Sequence, residues 1–146
     1  IDKDGNSVSV TTTLNNSFGS KVFVEKSGFF LNNEMDDFSS KPGYPNFFGV
    51  IGSEANSIQP NKRMLSAMTP TIVLKNEKPH LILGSPGGPS IITSVFQTIL
   101  NVIEYEMNVN EAVSSPRFHH QWYPDLIVME KEAYSNELDS ILKDKN

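Results

Sequence analysis

Leu81-Ile82-Leu83-Gly84-Ser85-Pro86-Gly87-Gly88-Pro89-Ser90-Ile91-Ile92 is the stretch on which the reading of this chain turns. An apolar run of strand length stops at Gly84, and an apolar segment of helical period begins after Pro89. Pro89 suits the first helical turn, where a missing N–H costs nothing. Gly87 and Gly88 then stand just ahead of a helix N-terminus, with free backbone N–H groups and no side chains in the way. Such a place stabilises negative charge, whether a bound anion or the oxyanion of an acyl-transfer intermediate. A strand-to-helix turn that needs glycine only for its dihedrals reads the same way in sequence. The stretch has neither the Gly-Lys-Ser/Thr of a Walker A loop nor a GxGxxG fingerprint, which disfavours nucleotide binding.

Outward from this stretch, the helical period covers Pro89–Met107, with Ile92, Val95, Phe96, Ile99, Val102 and Ile103 on one face, expected to be buried. Upstream, Thr69–Lys75 and His80–Leu83 flank Asn76-Glu77-Lys78-Pro79 as a hairpin. Ser7–Leu14 is β-branched and alternating, and is expected to be a strand with Val8 and Val10 on one face and Ser7, Ser9, Thr11 and Thr13 on the other. A shorter strand is expected at Lys21–Glu25. Downstream, a short helix is expected behind an Asn110 cap, ending at Pro116. A loop over Arg117–Pro124, a strand at Leu126–Glu130 and a helix capped by Ser135 and running to Lys143 complete the chain. From Phe38 to Lys62 it is rich in Ser, Pro, Gly and Asn, and a stretch of that length without periodicity reads as a lid or binding loop. Strands and helices in clusters, without strict alternation, give an α+β class.

The 146 residues suffice for one domain with a core, and 38% hydrophobic content with nine Phe is globular. Twelve Lys and Arg against 17 Asp and Glu leave a net charge of −5, which argues against nucleic acid or an anionic membrane as the main partner. There is no cysteine, hence no disulfide and no thiolate metal site. No apolar run reaches the ~18–20 residues of a membrane span. The start at Ile1-Asp2-Lys3-Asp4-Gly5-Asn6 and the end inside a helical pattern both read as cut, so a piece of a longer protein is expected.

Three further clusters bear chemistry-capable groups. Thr11-Thr12-Thr13 fits plain strand propensity, or a Thr13 hydroxyl presented to a neighbouring nucleophile. Asn32-Asn33-Glu34-Met35-Asp36-Asp37 fits a solvated acidic turn, a cation site lacking the EF-hand spacing and glycine, or a carboxylate pair gripping a substrate ammonium. His119-His120 beside Trp122 is read as structural, because neighbouring side chains on an extended chain point apart. With no GxSxG elbow, nothing makes a Ser-His-Asp case.

Taken in order, these segments resemble the small subunit of γ-glutamyltranspeptidase, an N-terminal-nucleophile hydrolase. The likeness is carried by Asp2–Asn15, Phe18-Gly19-Ser20, Gly28, Leu31–Phe38, Pro42-Gly43, Pro45-Asn46 and Asn61-Lys62-Arg63. It continues through Leu65-Ser66, Met68, Pro70–Val73, Gly84–Gly88, Ile91-Ile92 and Pro116–Trp122. The resemblance implies an αββα sandwich, of which this chain holds the small-subunit portion as one domain with residues 38–62 as its lid. It implies a precursor that cleaves itself, so that a new N-terminal Thr becomes the nucleophile with its own α-amine as base. That Thr aligns about six residues before Ile1, so this chain alone is expected to be inactive. Also implied are a large subunit as partner, glutathione or other γ-glutamyl amides as donors, and water, an amino acid or a dipeptide as acceptor. No cofactor or metal is implied, and the expected location is the periplasm or outside the cell. Missing edge strands would favour self-association of the piece.

The resemblance assigns Thr13 to orienting the nucleophile's amine and Gly87 and Gly88 to the oxyanion hole. It gives Asn15, Glu34, Asp37 and Ser66 to the γ-glutamyl α-carboxylate and α-ammonium, with Glu34 and Asp37 on the ammonium. Phe48 takes the lid's bridging aromatic position. Four residues depart from the family pattern. Ala67 stands where a second serine is usual, Met64 where a proline is, and Pro89-Ser90 where Ser-Arg is common. Rival readings are an acylase or poly-γ-glutamate-processing relative on the same scaffold, and a non-catalytic binding domain that kept the fold. Joint presence of Glu34 and Asp37 favours substrates with an α-amine.

Overall fold

The computed structural model describes residues 1–145. Elements follow in the order β1 (Phe23–Val24), β2 (Phe29–Phe30), β3 (Thr71–Lys75), β4 (Lys78–Leu83), α1 (Ile91–Ile103), α2 (Val109–Ser114), β5 (Phe118–His119), β6 (Val128–Met129) and α3 (Asn136–Lys143). Short 3-10 turns lie at Glu34–Asp37, Glu54–Asn56, Gly88–Ser90 and Lys131–Ala133. The strands pair as three antiparallel two-stranded ribbons, β1 with β2, β3 with β4, and β5 with β6. The class is α+β as expected. The β3–β4 hairpin turns at Asn76-Glu77, both with positive φ, and its register shifts between Val73 and Leu74.

Ser7–Leu14 does not form the expected strand, and no ladder partner lies beside it among the described residues. Its two faces survive as expected over residues 7–11, with the valine face outward, and end at Thr12 and Thr13, both exposed. Ser7, Ser9 and Thr11 turn toward the protein, while Val8 and Val10 are 73% and 74% exposed. Ser9 Oγ donates to the Leu83 carbonyl at 2.9 Å, so the segment runs past the end of β4 without exchanging backbone bonds with it. The reason is physical: β-propensity records the fit to a neighbouring strand and cannot supply one.

In α1 the expected face is split. Ile91 and Val95 are buried, Ile99 and Val102 half-buried, and Ile92, Phe96 and Ile103 exposed. At 3.6 residues per turn, positions 91, 95 and 102 form one stripe and 92, 96 and 103 the next. The described chain covers only the first stripe, while α2 and β5 are held by the polar face of Thr93, Gln97 and Asn101. The capping residue of α2 is Asn108, two positions earlier than expected. Asn108 Oδ1 accepts from the Glu111 N–H and Glu111 Oε2 accepts from the Asn108 N–H, both at 3.0 Å. This reciprocal box needs its carboxylate three residues on, a spacing that Asn110 lacks.

Within the expected loop 117–124, Phe118-His119 is instead paired with Val128-Met129. Gln97 on α1 holds it by donating to the Phe118 carbonyl at 2.8 Å and accepting from the Phe118 N–H at 3.1 Å. Arg117 reinforces the ribbon, donating from Nε and Nη2 to Glu130 Oε1 at 3.1 and 2.9 Å. The Ser135 cap of α3 is as expected, accepting from the Leu138 N–H.

The buried apolar core is small, namely Phe38, Ile91, Val95 and Ala112. The chain exposes 11133 Å², against roughly 7,500 Å² for a compact monomer of this mass. No helix among the described residues is long and apolar enough to cross a membrane.

Candidate active site

Gly84–Ser90 leaves β4 and enters α1 as the sequence requires. Gly87 has φ +137° and Gly88 φ +54°, conformations that a side chain rarely adopts. Pro89 sits in the 3-10 turn that leads into α1. Among the described residues neither the Gly87 nor the Gly88 N–H meets an acceptor. The Phe48 ring lies against Gly88, where an added Cβ would come within 3.2 Å of it. Gly88 therefore allows two things at once, the turn and the close approach of the aromatic.

This turn opens on a cavity of about 980 Å³, lined also by Thr13, Asn15, Asp37 and Phe48. Groups distant in sequence, from Thr13 to Gly88, thus face one hollow. Thr13 Oγ1 accepts from the Asn15 N–H at 2.9 Å, and Asn15, at φ +73°, donates from Nδ2 to the Asn33 carbonyl at 3.2 Å. These short bonds fold the end of the Thr11–Thr13 run back over the acidic turn.

Glu34 opens that turn and Asp37 closes it. Burial pushes the Glu34 carboxyl up to about 7, helped by a hydrogen bond with the Asp37 carboxyl and by repulsion from its charge. The Asn15 N–H opposes the rise. A carboxyl raised by a second one beside it is the form that a bound cation reverses. Glu34 is not itself part of the cavity wall and reaches it through Asp37. Ser66 is exposed and lies off the wall, its Oγ accepting from the Met68 N–H at 3.3 Å. The neighbouring Leu65, Ala67 and Met68 do line the cavity.

The loop 38–62 forms the largest part of the wall and is more ordered than its composition suggests. Asn46 Oδ1 accepts from the N–H groups of Phe48 and Val50 at 3.0 and 2.9 Å. Asp36 accepts from the Phe47 N–H. Asn56 donates to the Asp37 carbonyl at 2.7 Å and accepts from the Leu65 N–H at 3.0 Å. An Asn ahead of Phe-Phe-Gly is an Asx-turn signal, and it could have been read from the sequence. Lys41, Tyr44 and Trp122 also reach the wall and were not singled out in sequence as site residues.

The histidines point apart as expected. His119 Nδ1 lies 2.9 Å from Thr93 Oγ1, and His120 Nε2 lies 3.1 Å from Asp125 Oδ1. No group of three or more His, Asp or Glu that could hold a metal ion occurs among the described residues. What the site offers is a pair of unengaged amides, the Asp37 carboxylate backed by Glu34 and the Thr13 hydroxyl around one hollow, a set suited to holding a cationic acyl group with its carbonyl at the amides.

The family model described as gamma-glutamyltranspeptidase matches residues 1–146. The glutathione hydrolase proenzyme of Escherichia coli K12 is 56% identical over 131 residues, covering 90% of this chain and 23% of that protein. A glutathione hydrolase proenzyme from Pseudomonas sp. A14 is 52% identical over 143 residues, covering 98% and 25%. The crystal structure of a Helicobacter pylori gamma-glutamyltranspeptidase mutant superposes with a TM-score of 0.96 at 55% identity, over all of this chain and 78% of that one. The chain spans about a quarter of the length of the curated relatives it matches.

Proposed function

The chain belongs to the γ-glutamyltranspeptidase family, whose structures have the N-terminal-nucleophile hydrolase fold, and on that premise we propose that the protein it forms part of transfers γ-glutamyl groups. Donors are glutathione and other γ-glutamyl amides, and the acyl group goes to water or to an amino-acid or dipeptide amine. In this reading a precursor cleaves itself, and the Thr upstream of Ile1 becomes the nucleophile.

Its hydroxyl attacks the γ-carbonyl, while its α-amine takes the hydroxyl proton and later gives it to the departing amine. Thr13 orients that amine. The negative charge of the tetrahedral intermediate falls on the carbonyl oxygen, and the Gly87 and Gly88 amides stabilise it, a contribution of roughly 3–4 kcal/mol for a donor of this kind. Glu34 and Asp37 hold the α-ammonium and Asn15 the α-carboxylate, and Ser66, which the family resemblance adds to that carboxylate, lies off the cavity wall beside Leu65 and Ala67. Loop 38–62 acts as lid. The partner is the large subunit from the same precursor, and the setting is the periplasm or outside the cell.

The observation that supports the proposal is the shared cavity: the paired free amides, Thr13 and Asp37 face one space, with Glu34 behind Asp37. An acylase for acyl groups without an α-amine has no use for two neighbouring carboxyls, one of them raised by the other, so the γ-glutamyl reading is favoured over that relative. The test is to express the full precursor and follow two signals, self-cleavage into two subunits and glutamate release from glutathione. An intact, inert precursor would support the non-catalytic alternative.

A further inference from the structure

Lys41 is the single Lys or Arg among the described residues that line the cavity. Its Nζ sits 3.6 Å from the centroid of the Tyr44 ring, a cation–π contact. The Tyr44 N–H donates to the Lys41 carbonyl at 3.0 Å, and the Gly43 N–H donates to the Gly52 carbonyl at 2.9 Å, so the turn that carries the lysine is pinned to the loop's return. Among the described residues Lys41 forms no ion pair. A cation held on an aromatic ring in a negatively charged chain, without a carboxylate partner, is placed to take one from a ligand.

The volume argues the same way. About 980 Å³ lies at the top of the roughly 300–1,000 Å³ of small-molecule sites. A glutamyl group alone does not need it. The proposed reading uses Glu34 and Asp37 for the ammonium and Asn15 with Ser66 for the α-carboxylate, which leaves Lys41, Tyr44 and the 78% exposed Trp122 without a role. The departing amine and the incoming acceptor amine occupy the same side of the acyl carbon, so one subsite serves both.

We propose that Lys41, backed by the Tyr44 ring, recognises the free carboxylate of the leaving amino acid or peptide, and of the acceptor that replaces it. Trp122 lines the same cavity and adds apolar surface to it. This rests on the γ-glutamyl reading above and adds the specificity of its second half-site.

The test uses the full, self-cleaved protein and two donors that differ only in that carboxylate, γ-glutamylglycine and γ-glutamylglycinamide. Lys41→Met is expected to raise KM for γ-glutamylglycine relative to that for the amide by about five- to tenfold, the size of a partly exposed charge-assisted contact. Lys41→Arg is expected to return most of that ratio. Equal KM changes for both donors would place Lys41 on the glutamyl half and overturn the proposal, as would no change for either. A wild-type enzyme that cleaves itself yet turns over neither donor overturns the underlying reading, and this one with it.

Discussion

Two segments of this chain lack regular pairing for opposite reasons. Loop 38–62 has the composition of disorder, yet it is tied together by its own side chains, with Asn46 and Asn56 each accepting and donating in place of a ladder. Segment 7–14 has the composition of a strand, yet it stands alone, with its polar face inward and its valines exposed. The first carries its partners within itself, and the second needs another strand. Order in a loop is thus a question of local acceptors, and order in a strand is a question of neighbours. The cavity lies where the two meet, with Thr13 at the foot of one and Asp37 at the head of the other.

The largest expected effect comes from the junction. In the intact enzyme Asp37→Ala should lower kcat/KM for γ-glutamyl donors by on the order of 10² or more, because a bound ammonium loses its charge partner. The loop should survive, since Asn56 holds the Asp37 backbone carbonyl and not its side chain. Steady-state kinetics decide it, and an effect below threefold removes Asp37 from the site. On the other segment, Thr13→Ala should slow both self-cleavage and turnover, and normal rates in both would exclude it.

Next in size is the strand without a partner. Val8→Ser with Val10→Ser should leave the fold of this piece nearly unchanged, since both side chains are already in water. In the full-length protein the same pair should lower stability by about 1.5–3 kcal/mol for each valine that becomes covered there. Equal stability of the two full-length proteins in urea would show that the face stays bare. A smaller effect is expected at the loop. Asn46→Ala leaves two N–H groups without their acceptor, costs about 1–2 kcal/mol, and should speed proteolytic nicking within 38–62 while sparing segment 7–14.

The smallest effect is the pH dependence of the carboxyl couple. Glu34 titrates near 7 in the folded chain against an ordinary 4.5. Between those values the folded state holds a proton that the unfolded chain has lost, so stability from this group is greatest below about 4.5 and falls as pH rises toward 7. Donor binding runs the other way, because an ammonium is held best by the ionised Glu34, and KM should fall as pH rises through 7. Glu34→Gln should flatten both trends, measured as Tm and as KM between pH 5 and 8.

Part of the candidate cavity wall was legible in the sequence, namely Thr13, Asn15, Asp37, Gly87 and Gly88, while Glu34 and Ser66 fall off it. The glycine pair ahead of α1 announced itself, because positive φ and unused N–H groups are properties of a few neighbouring residues. The Ser135 cap was legible for the same reason. The buried stripe of α1 was not, since Ile92 and Phe96 fit the helical period as well as Ile91 and Val95 do, and the choice between stripes belongs to what packs against them. Phe118-His119 escaped notice because a glutamine 21 residues away holds it. Lys41 gave no sign at all, for nothing local distinguishes a lysine on a cavity wall from one in solvent.

The central claim is that the free amides, the carboxyl couple and Thr13 form one γ-glutamyl site. A crystal structure of the full, self-cleaved protein with glutamate bound tests it most directly. The account predicts the α-ammonium within hydrogen-bond distance of Asp37 and Glu34, and the γ-carboxyl oxygen on the Gly87 and Gly88 N–H groups. Glutamate bound with its ammonium away from both carboxyls, or its γ-carboxyl away from the glycine pair, would contradict it.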